Sequence, residues 1–205
     1  MSLIMKFLAG LIGAFMFLIG CQGGSGSSAL VTIQNVAPQA HCRKNSSDPF
    51  QEAKAEQTFP AGSSFKTGEG GAMELHFADG TSVELQSETY FEYVGQATEV
   101  KQMQGKVVYR IKPQKKQFKI ETPHGVTAVL GTTFLIAVAT DSISILVDEG
   151  TIEFSSMAGE KQQISGGAVL SFSGKGSLGK AGPADPMLLQ ATFSKGFRTP
   201  AVNQR

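Results

Sequence analysis

The strongest constraint in the chain is a pair of apolar runs within residues 122–150. Phe134, Ile136 and Val138 alternate with smaller or less apolar residues, and Ile143, Ile145 and Val147 do the same after a short polar gap. With Ala139 to Ser142 as a four-residue loop, Val138 falls opposite Ile143, Ile136 opposite Ile145 and Phe134 opposite Val147. All six side chains then share one face, because side chains in a strand repeat every two residues. Leu135 and Leu146 point the other way, which predicts a partly covered outer face. A half-buried hairpin of this kind needs further strands, and the flanking sequence supplies them.

The next hairpin can be read in register. Met73, Leu75 and Phe77 alternate with Glu74 and His76, and Val83 and Leu85 follow Ala78, Asp79, Gly80. A two-residue Asp-Gly turn would set Val83 against His76. A three-residue loop with Gly80 left-handed sets Leu75 against Val83 and Met73 against Leu85, so the core pattern selects the bulged turn and leaves His76 on the solvent face. Further strands are expected over 30–36, ended by Pro38, over 151–155 with Ile152 and Phe154 inward, and over 168–173. Tyr90, Phe91 and Tyr93 read as strand core rather than as a sugar or peptide platform. Residues 107–111 and 118–120 flank Lys112, Pro113, Gln114, Lys115 and Lys116 and read as another hairpin with a basic tip. Asp48 and Pro49 leave 50–56 open between a short helix and a strand.

These readings give one all-β domain over 30–173, its antiparallel hairpins forming either a two-layer sandwich or a solenoid-like stack. Its 24 glycines, the absence of tryptophan and the lack of long helical periodicity after residue 20 agree. Residues 174–205 read as a disordered Gly/Pro/Lys-rich tail, in which Asp185 and Pro186 cap and open a short helix over 186–194.

The first 20 residues read as an export signal. Lys6 precedes a 13-residue apolar stretch, Phe7 to Ile19, which is short for a membrane span of about 20 residues. Leu18, Ile19, Gly20 and Cys21 resemble the lipobox of bacterial lipoproteins, in which the cysteine becomes the lipid-bearing first residue. The alternatives are an uncleaved anchor and a conventional signal, and Met5 is a second candidate start. Gln22 to Ala29 form a Gly/Ser-rich tether with a reach of roughly 16 Å. Membrane attachment through Cys21 is therefore expected, with Gln22 resembling an outer-membrane signal.

Candidate chemistry is sparse. His41 and Cys42 are ligand types, but zinc needs three or four and the sequence clusters no more, so no metal and no cofactor is expected. His124 has no acid, Ser or Cys at a telling spacing, which favours a turn histidine over a general base and argues against an enzyme. Charge is segregated: seven acids and no Lys or Arg lie in 67–100, and seven Lys or Arg and no acid in 101–119. Either adjacent strands pair these charges, or Lys112, Lys115 and Lys116 meet an anionic polymer, lipid headgroups or an acidic protein. A net charge of +1 and the export signal speak against nucleic acid.

Gly62 with Phe65 to Gly68, Phe77 to Thr81 with Val83 and Leu85, Thr122 to Val126, Gly131 to Phe134, and Val147 to Gly150 resemble, in this order, the FecR-like domain of bacterial envelope proteins. Within that pattern Asp79, Gly80, Thr122, Pro123, His124, Gly125, Gly131, Thr132, Phe134 and Gly150 are the motif positions. Thr122 to Gly125 form a turn, Gly131 allows close backbone approach, and Thr132 can bond to backbone. Where the family carries Arg before Gly-Thr, this chain has Leu130. The export signal, the strand pattern and the missing catalytic set point to a lipid-anchored envelope protein whose domain binds, or acts as a scaffold for, another envelope component. FecR-like regulators relay an outer-membrane transport signal to a cytoplasmic sigma factor. Only about six residues precede the apolar run here, so direct control of that kind is not expected, while relay through a partner stays open.

Overall fold

Inward-facing residues of alternating strands sort the chain into two β layers that meet across one core. The computed structural model describes residues 30–95, 98–173, 177–194 and 197. In chain order, β1 (Val31–Val36) lies in the first layer, β2 (Ala40–Arg43) and β3 (Gln51–Glu52) in the second, and β4 (Thr58–Phe59) in the first. β5 (Ser63–Thr67) joins the second layer, β6 (Met73–Phe77) and β7 (Ser82–Leu85) the first, and β8 (Tyr90–Gly95) the second. β9 (Glu99–Ile111) serves both. The hairpin of β10 (Phe118–Thr122) and β11 (Gly125–Val129) is in the second layer, that of β12 (Thr132–Val138) and β13 (Ile143–Glu149) in the first. β14 (Thr151–Ser156) and β15 (Lys161–Ser165) return to the second, and β16 (Ala168–Phe172) and β17 (Gly182–Pro183) end the first. One helix follows, α1 (Pro186–Phe193), with Asp185 as its cap accepting from Met187 N.

Across the first layer the strands run β4, β1, β6, β7, β9, β12, β13, β16, β17, all antiparallel. Across the second they run β3, β2, β5, β8, β9, β10, β11, β14, β15, with β9 and β10 parallel. The all-β expectation is met by a two-layer arrangement whose hairpins are dealt alternately to the layers. Phe77 packs edge-on against Tyr93 at 5.4 Å and Phe118 at 5.7 Å, joining the layers. Each such aromatic contact adds to the burial that drives the two sheets together.

Both hairpins read in register are found as expected. Phe134 faces Val147, Ile136 faces Ile145 and Val138 faces Ile143, and all six are buried. Leu75 faces Val83 and Met73 faces Leu85, with Gly80 at φ 83° closing the three-residue loop. Phe91 and Tyr93 are core residues. The open choice at 50–56 falls to the strand, since β3 pairs with β2. Ala168 to Phe172 form β16, and the short helix begins at Pro186. The remainder of the tail beyond 194, apart from 197, and the whole of 1–29 lie outside the described residues.

One expectation fails. Residues 107–111 and 118–120 are not the arms of a hairpin: Lys119, Ile120 and Glu121 pair in parallel with Glu99, Val100 and Lys101 instead. Val107, Tyr109 and Ile111 are drawn into the first layer by β7 and β12, whereas Phe118 and Ile120 fill the second. The basic segment therefore crosses between layers rather than turning back in one.

The change of layer occurs within β9 at Gly105, whose φ is 88°. A Cβ there would lie 2.4 Å from Thr89 Oγ1 and 2.5 Å from Thr89 Cα, so both conformation and space demand glycine. Beside it Gln102 is fully buried. Its Nε2 donates to Gly105 O at 2.9 Å and Ile136 O at 3.0 Å, and its Oε1 accepts from Tyr109 Oη at 3.0 Å. Tyr109 stacks on Phe134 at 5.0 Å, and burial raises its phenol well above the ordinary value. Gln102→Leu strands the Tyr109 hydroxyl and should cost about 1–3 kcal/mol, the usual penalty for an unsatisfied buried group. Adding Tyr109→Phe should recover part of that loss in urea unfolding midpoints; strictly additive losses would show that the bond does not hold the bend.

Candidate functional site

The turns gather at two ends of the sandwich, and the motif residues divide between them. One end carries the Asp79–Gly80 turn, the 112–117 crossing, Gly131 and Gly150. Asp79 Oδ1 accepts from Thr81 N at 2.8 Å, and Gly80 N donates to Phe77 O at 3.0 Å. The stem of Lys112 runs beside Gly80. Gly131 lies flat against the crossing segment: a Cβ there would sit 2.7 Å from Pro113 Cα, so any side chain would push the two backbones apart. Gln114 N donates to Leu130 O at 2.8 Å and fixes the same contact. Gly150 packs against Gly131 O, and Thr132 Oγ1 donates to Thr151 O at 3.2 Å. Phe134 is a core residue, not part of this end.

Lys112, Lys115 and Lys116 are exposed here, but so are Asp79, Asp148 and Glu149. The end is therefore of mixed charge. Of the segregated acids and bases, Glu84 and Arg110 pair at 3.3 Å, Glu92 stands opposite Lys101 and Glu99 opposite Lys119. Lys101 bonds Glu121 at 3.1 Å. Pairing across strands thus uses part of the charge pattern, at about 0.2–1 kcal/mol for an exposed pair.

The other end holds the Thr122–Gly125 turn. His124 is buried, and its Nε2 donates to Ala139 O at 2.9 Å. That bond ties the β10–β11 turn of one layer to the β12–β13 loop of the other. Its carbonyl accepts from Met157 N at 3.3 Å, its N–H donates to Thr122 Oγ1 at 3.3 Å, and Thr122 Oγ1 donates to Gly125 O at 2.9 Å. The imidazole proton is committed to the fold. Cys42 is buried with Sγ 3.8 Å from Gln57 Oε1, and burial raises its thiol pKa, which keeps it protonated and unreactive. No group of three or more His, Cys, Asp or Glu able to hold a metal occurs among the described residues. Cys21 lies outside them.

Two polar features were not legible in the sequence. Gln102 is one. The other centres on Glu74, whose carboxylate accepts from Asn35 Nδ2 at 2.5 Å, Ser82 Oγ at 2.8 Å and His76 Nε2 at 3.1 Å. Asn35 reaches it only because β1 pairs with β6, a non-local contact with no signature in either segment. On the same outer face an open cavity of about 540 Å³ lies between Leu135, Leu146 and Val169 of the sheet and Leu188 and Ala191 of α1. This is the partial cover predicted for Leu135 and Leu146.

Residues 63–153 match the family described as FecR protein. Over that stretch the chain is similar to FecR proteins. The matched stretch runs from β5 into β14 and contains the centre of both layers. Two crystal structures of a candidate anti-sigma factor from Parabacteroides distasonis ATCC 8503 have the same fold, each with a TM-score of 0.56 at 18% identity. The overlap covers 62% of this chain and 63% or 62% of those proteins, so the chain spans less than two thirds of their length. No curated protein matches it.

Burial opposes ionisation of Glu74, but the hydrogen bonds from Asn35, His76 and Ser82 and the charge of His76 outweigh it and lower its pKa. A depressed carboxylate contributes stability that is present above the unfolded value of about 4.3 and is lost as pH falls through the folded value. Glu74→Gln should therefore be less stable than wild type at pH 7 in urea, with the gap closing below pH 4; a gap that does not vary with pH would remove the carboxylate from the account.

Proposed function

We propose that this chain is a non-enzymatic protein of the cell envelope whose FecR-like domain acts by binding another envelope component. The observation that carries this is the family match over 63–153, which falls on the structural centre of the sandwich and not on an appended motif. The fold shared with a candidate anti-sigma factor favours a regulatory form of that role, in which the domain relays a signal through a protein partner. The sequence favours attachment through a lipid on Cys21, with the domain held near an outer membrane and facing the periplasm. Among the described residues no helix is long and apolar enough to cross a membrane. The domain arrangement follows: signal 1–20, tether 21–29, β domain 30–173 and tail 174–205. A non-enzymatic role is supported by His124, whose ring nitrogen is bonded to Ala139 O inside the fold. The exposed Lys112, Lys115 and Lys116 are the proposed contact for an acidic partner surface or an anionic polymer.

Two measurements test this reading. The intact mass of the protein from native membranes should correspond to a chain starting at Cys21 with added lipid, and Cys21→Ser should lose that form; an uncleaved chain would replace the lipid with a protein anchor. Crosslinking in intact envelopes should capture a partner that Lys112→Glu, Lys115→Glu and Lys116→Glu together weaken at least fivefold. Unchanged capture would move the contact away from the basic crossing.

A further inference from the structure

On their C-terminal side the two layers reach β15 and, beneath the two-residue β17, β16, and the seam between these strands is closed by residues 177–183. This strap crosses from one layer to the other in extended form. Near β15 its backbone is met by side chains: Leu178 N donates to Glu160 Oε2 at 2.5 Å. Both ends of the Gln162 amide face the strap, and the orientation that satisfies them sets its nitrogen 2.5 Å from Gly179 O, to which it donates, and its oxygen 2.7 Å from Ala181 N, from which it accepts. A single amide thus supplies the donor and the acceptor that a neighbouring strand would supply, reading backbone and not side chains. Near β16 the strap becomes β17, where Gly182 pairs with Val169 and Pro183 with Ala168, and Ala184 N donates to Gly167 O at 2.8 Å. Leu178 and Ala181 are its two side chains packed on the core.

The occupant is a poor fit for so complete a set of backbone contacts. Ser177, Gly179, Lys180 and Pro183 are exposed, and Leu178 and Ala181 are only half-buried. Gly179 and Gly182 carry a high ordering cost. β17 reaches just two of the five residues of β16. Such a segment is held weakly enough to be exchanged.

We propose that the seam between β15 and β16 is a binding site for an extended peptide, filled here by the chain's own residues 177–183, and that its ligand in trans is an extended segment of a partner protein. The strap states the ligand's chemistry. An aliphatic residue takes the place of Leu178, a small residue three positions later takes that of Ala181, and the main chain between them bonds Glu160 and Gln162. Specificity is low in side chains and high in backbone shape, as expected where a strand is added to a sheet edge.

The test uses the purified full chain and a fluorescent peptide of residues 177–184 as probe, read by anisotropy. Leu178→Ser weakens the resident strap at a surface position and should raise probe affinity at least tenfold over wild type. Adding Gln162→Ala should reverse that gain at least fivefold, because the bonds to the probe are lost with it. In wild type, the amides of Leu178 and Ala181 should exchange at least 100-fold faster than those of β14. Equal binding to all three proteins, or strap amides as protected as β14, would make the strap a permanent strand and overturn the proposal. A wild-type dimer in light scattering that dissociates in Leu178→Ser would overturn it in favour of strap exchange between copies. Probe binding to the purified chain does not depend on where the protein resides, so its failure leaves the envelope reading untouched.

Discussion

The structure depends on one strand holding two positions. β9 belongs to the second layer up to Gln104 and to the first from Gly105, so every other strand is placed relative to a single continuous backbone. A bend of that kind brings polar backbone into the core, where an unpaired carbonyl costs more than a hydrogen bond returns. Gln102 meets that cost with bonds to Gly105 O and Ile136 O, and Tyr109 completes the amide's oxygen. The same arrangement forces the parallel pairing with β10. After rising through the first layer, the chain has to cross the end of the sandwich to reach the second, and it arrives running in the direction of β9's first half.

The sequence was most legible where structure is local. Period-two alternation and turn chemistry place Leu75 against Val83 and Phe134 against Val147 without any knowledge of neighbouring strands, because loop length alone sets register. Layer membership is different. The pattern of 107–111 and 118–120 is equally good for a hairpin and for two strands in separate layers, and the hairpin is the wrong choice. A signal was nevertheless present: Val100 and Gln102 face inward on even positions, Val107, Tyr109 and Ile111 on odd ones, and the phase changes at Gly105. A phase slip at a glycine marks a bend. Nothing comparable announces the Asn35–Glu74 bond or the strap, whose two core contacts are too few for a period.

The residues that carry the family resemblance are mostly residues that shape turns, and this explains why they suggested so little chemistry. Asp79 closes a turn on Thr81, Thr122 and His124 close another, and Gly131 admits Pro113. His124 goes further and couples the two layers through Ala139 O. These positions tolerate few alternatives on steric and hydrogen-bonding grounds alone, so their pattern identifies an architecture. Function in such a fold resides in what the architecture leaves exposed.

What it leaves exposed is chiefly edge. A two-layer sheet that does not close into a barrel has four edges, and each offers unpaired backbone to other chains. On the N-terminal side β3 and β4 are two-residue strands, too short to template an incoming chain. The C-terminal side carries instead two five-residue strands, β15 and, beneath the two-residue β17, β16, which are long enough to do so. The surface charges cannot set specificity by themselves, because lysines and carboxylates share the same end and each exposed pair is worth only about 0.2–1 kcal/mol. Backbone at a partly covered edge is the stronger resource for recognition. A domain that must bind a partner yet avoid pairing with itself gains from covering that edge with a segment of its own, provided the cover is weaker than the partner.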